Sequence, residues 1–206
     1  RQDGAVLHLW EAGDEEYTAW REDCFRAVEA VLELPRSHIH FKQRRRQRGR
    51  AQYEKTGLTG TDFVVAEQGL MFWVNLDAYL DTGLFLDHRH TRHLIRARAA
   101  GKRLLNLFAY TGSFTVYAAA GGALTSTTVD MSNTYQDWSR RNFELNGLDL
   151  SVHRLVRADV LQYLAAAAER CERYDLIVAV DVDPEVQVAR AVARGLPEDE
   201  VRRRVA

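Results

Sequence analysis

The stretch Lys102–Asp130, KRLLNLFAYTGSFTVYAAAGGALTSTTVD, limits this chain more than any other. It reads as a short apolar strand (Leu104–Phe108), a tight polar turn (Ala109–Ser113), a helix (Phe114–Gly121) and a second strand that ends on a carboxylate, Asp130. A β-turn-α-β unit of this kind takes a nucleotide-like cofactor at the carboxyl ends of its strands, with the acid on a ribose. The spacing is not G-x-G-x-x-G, because Gly112 is the one glycine in the turn. No crowded pyrophosphate crossing is therefore expected. An adenosine without phosphates fits better, which points to S-adenosylmethionine.

Around that turn, Asn106, Phe108, Tyr110, Thr111, Gly112 and Ser113 are the candidate cofactor residues. Backbone amides at the start of the helix suit a carboxylate, since a helix N-terminus carries unsatisfied donors and partial positive charge. Gly112 is expected to let the backbone approach the cofactor closely. Asp130 can accept two ribose hydroxyls; taken alone, it could equally cap the next helix. Further on, Thr134–Asn146 reads as a helix with Trp138 in the core, Val152–Ala158 as a third strand and Tyr174–Val180 as a fourth. Asp159, at the end of the third strand, is placed either for the adenine amino group or to cap the helix from Val160.

Upstream, Val6–Ala12 reads as a strand, and Asp14 can cap a helix with an apolar stripe of Tyr17, Trp20, Cys24, Val28 and Val31, expected to be core. His38–Gln43 is a strand entering the run Lys42–Arg50, which has six positive residues in nine and no acid. Arg44, Arg45, Arg46, Arg48 and Arg50 are candidate contacts to an RNA backbone, where each neutralised phosphate releases counterions. The alternative is a solvated hairpin tip. The net charge of −1 hides this local excess. Asp62–Gln68 and Leu70–Leu76 flank Gly69 as a hairpin. Asp87 is placed to cap a helix carrying His88, His90 and His93, whose spacing does not put three ligands on one face, so no metal is expected. Cys24 and Cys171 form no C-x-x-C pair, and free thiols in a reducing cytoplasm are the expectation. No apolar run reaches the ~20 residues of a membrane span.

NLFAYTGSFTVYAAAGGA and TTVDMSNTYQDWSRRNFELNGL resemble the N7-guanine-methylating half of the bacterial bifunctional 23S rRNA guanine methyltransferases. They are also similar to the 23S rRNA cytosine-C5 enzymes of like build. RRRQRGRAQYEK and FWVNLDAYLDTGLFLDHRHTR extend the resemblance upstream, and it is strongest over His38–Asp159. It implies a Rossmann-like class I α/β core with an incomplete parallel sheet, over residues 100–180. Before it, residues 1–99 form a small α+β region with a β-hairpin and the basic segment, and 181–206 an atypical helical tail. It implies S-adenosylmethionine as cofactor, 23S rRNA as partner, a cytoplasmic location and a guanine-N2 methyltransferase domain in the full-length protein. Met131 and Ser132 would lie by the adenine and ribose, Asp87 or Arg89 by the amino-acid head group, and Asp181 at the reaction site. Alternatives are a cytosine-C5 or guanine-N2 methyltransferase, or an inactive RNA-binding fragment of the same fold. Cys171, at a helix end, is badly placed as a C5 nucleophile.

The pattern breaks after Val180. The family's Asp-Pro-Pro-Thr-Phe-Ser-Asn-Ser loop is replaced by Asp181-Val-Asp183-Pro184, with one proline and no aromatic residue to hold a base. The last stretch, Asp181–Ala206, faintly resembles a dephospho-CoA kinase tail but has no Walker-type lysine motif. A truncated or spliced domain is expected, with an open sheet edge, weak cofactor binding and no methyl transfer of its own.

Overall fold

The structure is a computed structural model that describes residues 5–10, 15–44, 62–79, 81–176 and 202. The chain divides into two compact units, Arg1–Leu176 and Ile177–Ala206, and the architecture below is that of the first.

Strand β1 (Ala5–Trp10) and strand β2 (Ile39–Arg44) pair in parallel from Ala5↔Ile39 to Trp10↔Arg44. A parallel pair needs a long crossover, supplied here by helix α1 (Glu15–Leu32). The Phe25 ring of α1 packs 5.7 Å from that of Phe41, and the Arg36 guanidinium lies 3.4 Å over Phe25. Of the expected stripe on α1 Tyr17 is buried, but Trp20 is 49% and Val31 79% exposed, and the second buried aromatic is Phe25, which the stripe left out. Phe25 offers the larger apolar face to Phe41, so the helix is rotated toward it. The Asp14 cap lies outside the described residues.

Strands β3 (Asp62–Glu67) and β4 (Leu70–Asn75) form the expected hairpin. Gln68 and Gly69 both have positive φ (51° and 80°), the requirement of a two-residue type I′ turn. Alternation along β4 buries Leu70, Phe72 and Val74 and leaves Met71 outside.

A 3-10 turn (Leu86–His88) leads into helix α2 (Arg89–Arg98). Asp87 therefore sits inside that turn and does not cap the helix; the cap position is His88, and it makes no side-chain bond. Then follow β5 (Arg103–Leu107), α3 (Ser113–Ala120), β6 (Thr125–Asp130), α4 (Asn133–Leu145), β7 (His153–Arg157) and α5 (Val160–Glu169). Strands β5, β6 and β7 pair in parallel in that order. Leu176 bridges Leu104 in parallel, so the chain returns beside β5. The rest of the expected fourth strand, 177–180, lies outside the described residues.

That return makes β5 a topological switch point, where open α/β sheets place their ligands. The hairpin, α3 and α4 share one core of Phe72, Val74, Leu84, Val116, Tyr117 and Phe143. Among the described residues, no helix is long and apolar enough to cross a membrane.

Candidate cofactor site

At the carboxyl edge of β5, β6 and β7 lies a cavity of about 300 Å³. Each strand end contributes to it: Phe108 and Tyr110 after β5, Asp130 and Met131 at β6, Asp159 and Val160 after β7. Tyr135 of α4 and Asp81 and Phe85, from the loop before α2, complete the lining.

The turn after β5 is strained. Phe108 and Tyr110 have φ of 52° and 54°, a region that bulky L-residues avoid, and Gly112 has φ of 69°. Such a turn persists when its surroundings over-determine it, and here they do. The Ala109 amide donates to the Val129 carbonyl (3.1 Å) and the Tyr110 amide to Asp130 Oδ2 (2.9 Å). The Tyr110 carbonyl accepts from Ser139 Oγ (3.0 Å) and the Thr111 carbonyl from Asn142 Nδ2 (2.9 Å). Thr111 Oγ1 donates to the Gly83 carbonyl, 2.7 Å away, tying the turn to the Asp81–Phe85 loop.

Asp130 is thus held from both sides, because Oδ1 also accepts from the Ser132 amide (2.9 Å). Each oxygen keeps a further lone pair for a diol. Asp159 caps α5 by accepting from the Gln162 amide (3.0 Å), and it also lines the cavity. Tyr110 packs against Phe85 and Tyr135, with ring centroids 4.9 and 4.5 Å away. Burial, then the neighbouring Tyr135 and Asp81, hold its phenol well above the ordinary value, so it stays protonated.

The other sequence candidates shape the cavity without lining it. Asn106 donates through Nδ2 to Thr115 Oγ1 (3.1 Å), Thr111 and Ser113 are buried, and Ser132 caps α4 through its bond from the Tyr135 amide. At Gly112 a Cβ would lie 2.9 Å from the Phe143 ring and 3.0 Å from Ser139 Oγ, so the missing side chain makes room for α4. Asp87 and Arg89 do not line the cavity, and Arg89 is held by Glu67, Nε to Oε2 at 2.8 Å. Lys42, which opens the basic run, is buried and donates to the Asn75 and Tyr79 carbonyls. Arg44 ends β2; Arg45, Arg46, Arg48, Arg50 and Asp181 lie outside the described residues. No group of three or more His, Cys, Asp or Glu side chains suited to a metal occurs among the described residues.

Sequence reasoning missed Asp81, Phe85, Tyr135 and Val160. Asp81 and Phe85 lie in the DTGLFLDHR segment, where Asp87 and Arg89 drew attention instead. Among the described residues, the lining holds three carboxylates, Asp81, Asp130 and Asp159, and no lysine or arginine. That donor set disfavours phosphates. It suits an adenosine whose sugar presents hydroxyls and whose other end is cationic, a charge that aromatic faces also attract.

The family model of S-adenosylmethionine-dependent methyltransferases matches residues 10–201. The chain is 60% identical over 181 residues to ribosomal RNA large subunit methyltransferase K of Neisseria meningitidis serogroup B, covering 85% of this chain and 51% of that protein. It is 56% identical over 150 residues to the K/L methyltransferase of Methylococcus capsulatus, covering 73% of this chain and 20% of that protein. It thus spans about half the length of the first relative and a fifth of the second. A solved structure described as a methyltransferase complexed with SAH superposes with a TM-score of 0.66 at 28% identity, covering 92% of this chain and 51% of that one. The strand-end carboxylates, the phosphate-averse cavity and these likenesses agree, and the chain belongs to the S-adenosylmethionine-dependent methyltransferases.

Proposed function

We propose that this chain carries the cofactor half of an enzyme that methylates 23S rRNA at guanine N7. The observation that carries the reading is Asp130, pinned by two backbone amides at the edge of a cavity with no cationic side chain among its described lining residues. When bound, S-adenosylmethionine supplies an electrophilic methyl group. Asp130 would hold the ribose diol and Asp159 the adenine amino group, with Met131 beside them. Guanine N7 has an in-plane lone pair and no proton at neutral pH, so the protein needs to orient the base rather than deprotonate it. Arg44, Arg45, Arg46, Arg48 and Arg50 would meet the RNA backbone. Asp181 would stand near the transferred methyl group. The names of the relatives support the large-subunit rRNA as substrate.

The test is Asp130→Ala, titrated calorimetrically with S-adenosylmethionine. The loss of two charge-assisted hydrogen bonds, each worth about 1.5–3 kcal/mol, should weaken binding at least tenfold. Because Asp130 also anchors the Tyr110 amide, the melting curve is recorded for both proteins. Unchanged affinity in a folded variant would remove Asp130 from the site.

A further inference from the structure

The loop that brings Asp81 and Phe85 to the cavity is fixed through its backbone carbonyls, which are caught by different elements. Thr82 accepts from the Asn75 amide of β4 (3.0 Å), Gly83 from Thr111 Oγ1 of the turn after β5 (2.7 Å) and Phe85 from Arg92 Nη1 of α2 (2.8 Å). Those anchors belong to the hairpin and to the parallel sheet with its helices. The Tyr79 carbonyl is held from elsewhere: Lys42 Nζ of β2 donates to it (2.5 Å) and to the Asn75 carbonyl (3.5 Å). Lys42 is only 5% exposed, so an ammonium has been taken out of water to reach these carbonyls. Side chains alternate along a strand, and β2 uses both of its faces. Phe41 packs on Phe25 of α1, whereas His40 and Lys42 face the loop, with His40 Nδ1 lying 2.6 Å from Asp77 Oδ1.

We propose that Lys42 is a positioning residue for the cofactor cavity: by holding the Tyr79 carbonyl, two residues before Asp81, it sets where the Asp81 carboxylate stands. Lys42 does not line the cavity, so it acts through the loop. Asp81 is bracketed along the chain. Downstream, Thr82 and Gly83 are tied to β4 and to the turn after β5. Upstream, Lys42 holds Tyr79, and Asn75, whose carbonyl it also reaches, gathers the Asp77 and Ala78 amides on its Oδ1. With the upstream hold removed, Asp81 is free to swing about the downstream one, and a site tolerates little such misplacement. The strand–helix–strand unit at the start of the chain then has a second task besides carrying the basic run: it braces one wall of the cavity. This inference rests on the methyltransferase reading for the identity of the ligand. The brace itself can be tested without that reading.

The experiment uses the full chain and Lys42→Met, which keeps an unbranched side chain and removes the donor. Its S-adenosylmethionine affinity, read by calorimetry, should fall about tenfold, the scale of one lost hydrogen bond from a charged group. Phe25→Leu thins the packing on the other face of the same strand; it should lower the melting temperature yet move the affinity by less than about twofold. Asp81→Asn completes a double-mutant cycle: once that carboxylate is neutral, Lys42→Met should cost less than about threefold more. Amide exchange, followed with no cofactor present, should quicken more at Asp77 and Ala78 than along β6. His40→Ala, which removes the neighbouring bond to Asp77, should weaken cofactor binding about threefold and stands in for Lys42→Met if that variant does not fold. Unchanged affinity in the folded variant overturns the proposal. So does a fall that Phe25→Leu reproduces, or full additivity with Asp81→Asn, since Lys42 would then contribute only to general stability. Failure of the wild-type chain to bind S-adenosylmethionine would count against the methyltransferase reading. The exchange at Asp77 and Ala78 would still decide on Lys42, and a rise no larger than that along β6 would sink it.

Discussion

Among the described residues there are three parallel strand–helix–strand units, and two of them, β1–α1–β2 and β5–α3–β6, are held in different ways. Helix α1 is 18 residues long and lays a line of two buried aromatics on one strand pair. Its ion pairs, Arg36 to Glu22 and Arg26 to Asp23, are solvent-exposed. Helix α3 is only eight residues long, yet it buries Ser113, Thr115, Val116, Tyr117 and Ala118. It is packed by β4, α2 and α4 as well as by its own strands. Inside that packing, Thr115 and Thr128 share a hydroxyl hydrogen bond of 2.7 Å. Glu67 of the hairpin accepts from Arg92 (2.7 and 2.9 Å), Arg89 and Tyr117. The comparison teaches that the strained turn at the cavity is kept in place by neighbours from several elements. In β1–α1–β2 the described side-chain bonds to the rest of the chain come from β2, where His40 meets Asp77 and Lys42 donates to the Asn75 and Tyr79 carbonyls.

The contrast is broken most severely at Arg92, which is fully buried and also donates through Nη1 to the Phe85 carbonyl (2.8 Å). Arg92→Ala leaves the Glu67 carboxylate without its buried partner and should cost about 3–5 kcal/mol, read from the urea midpoint. The same change at the exposed Arg36 should cost less than about 1 kcal/mol. Equal losses at the two sites would erase the distinction.

A smaller effect is expected from pH. Burial alone would raise the Glu67 pKa, but the hydrogen bonds from Arg89, Arg92 and Tyr117, with the charge of Arg92, outweigh it and hold the carboxyl below its ordinary 4.5. A carboxyl whose pKa is depressed by folding adds stability that is complete above the unfolded value and fades as the pH falls through the folded one. Melting temperatures of wild type and Glu67→Gln, measured from pH 7 down to pH 3, should therefore converge below about pH 4.5. A gap that stays constant across that range would show that the network does not depend on ionised Glu67.

The smallest effect belongs to α1. Val31→Ser, on its exposed side, should change stability by no more than about 0.5 kcal/mol in chemical denaturation. A loss of 2 kcal/mol would mean that the expected stripe is core after all.

How far the sequence could be read follows the same division. The hairpin was legible because alternation and the Gln68-Gly69 pair are local signals. The strand ends were legible for a related reason, since Asp130 closes one short β-branched run and Asp159 follows another short strand closely. Asp81 and Phe85 were not, because their place depends on how a loop without regular structure packs across the chain. Gly83, with φ of 107°, lies so close to Trp138 that a Cβ would fall 2.4 Å from its ring, a contact between residues 55 positions apart. Arg89 was misjudged for the same reason, as its partner lies 22 residues away on a different element. On α1 the period was right, but the period alone does not say which arc faces the strands.

The strained turn has a consequence for how such a sequence would drift under selection. If variants were chosen only for resistance to heat, glycine should accumulate at position 108, where φ is 52° and the ring is 76% exposed, but not at 110, whose ring packs against Phe85 and Tyr135. If they were chosen for cofactor binding, the aromatic residue at 108 should persist despite its thermal cost. Sequencing the two pools would then separate what this turn contributes to endurance from what it contributes to work, without the need to isolate any one variant.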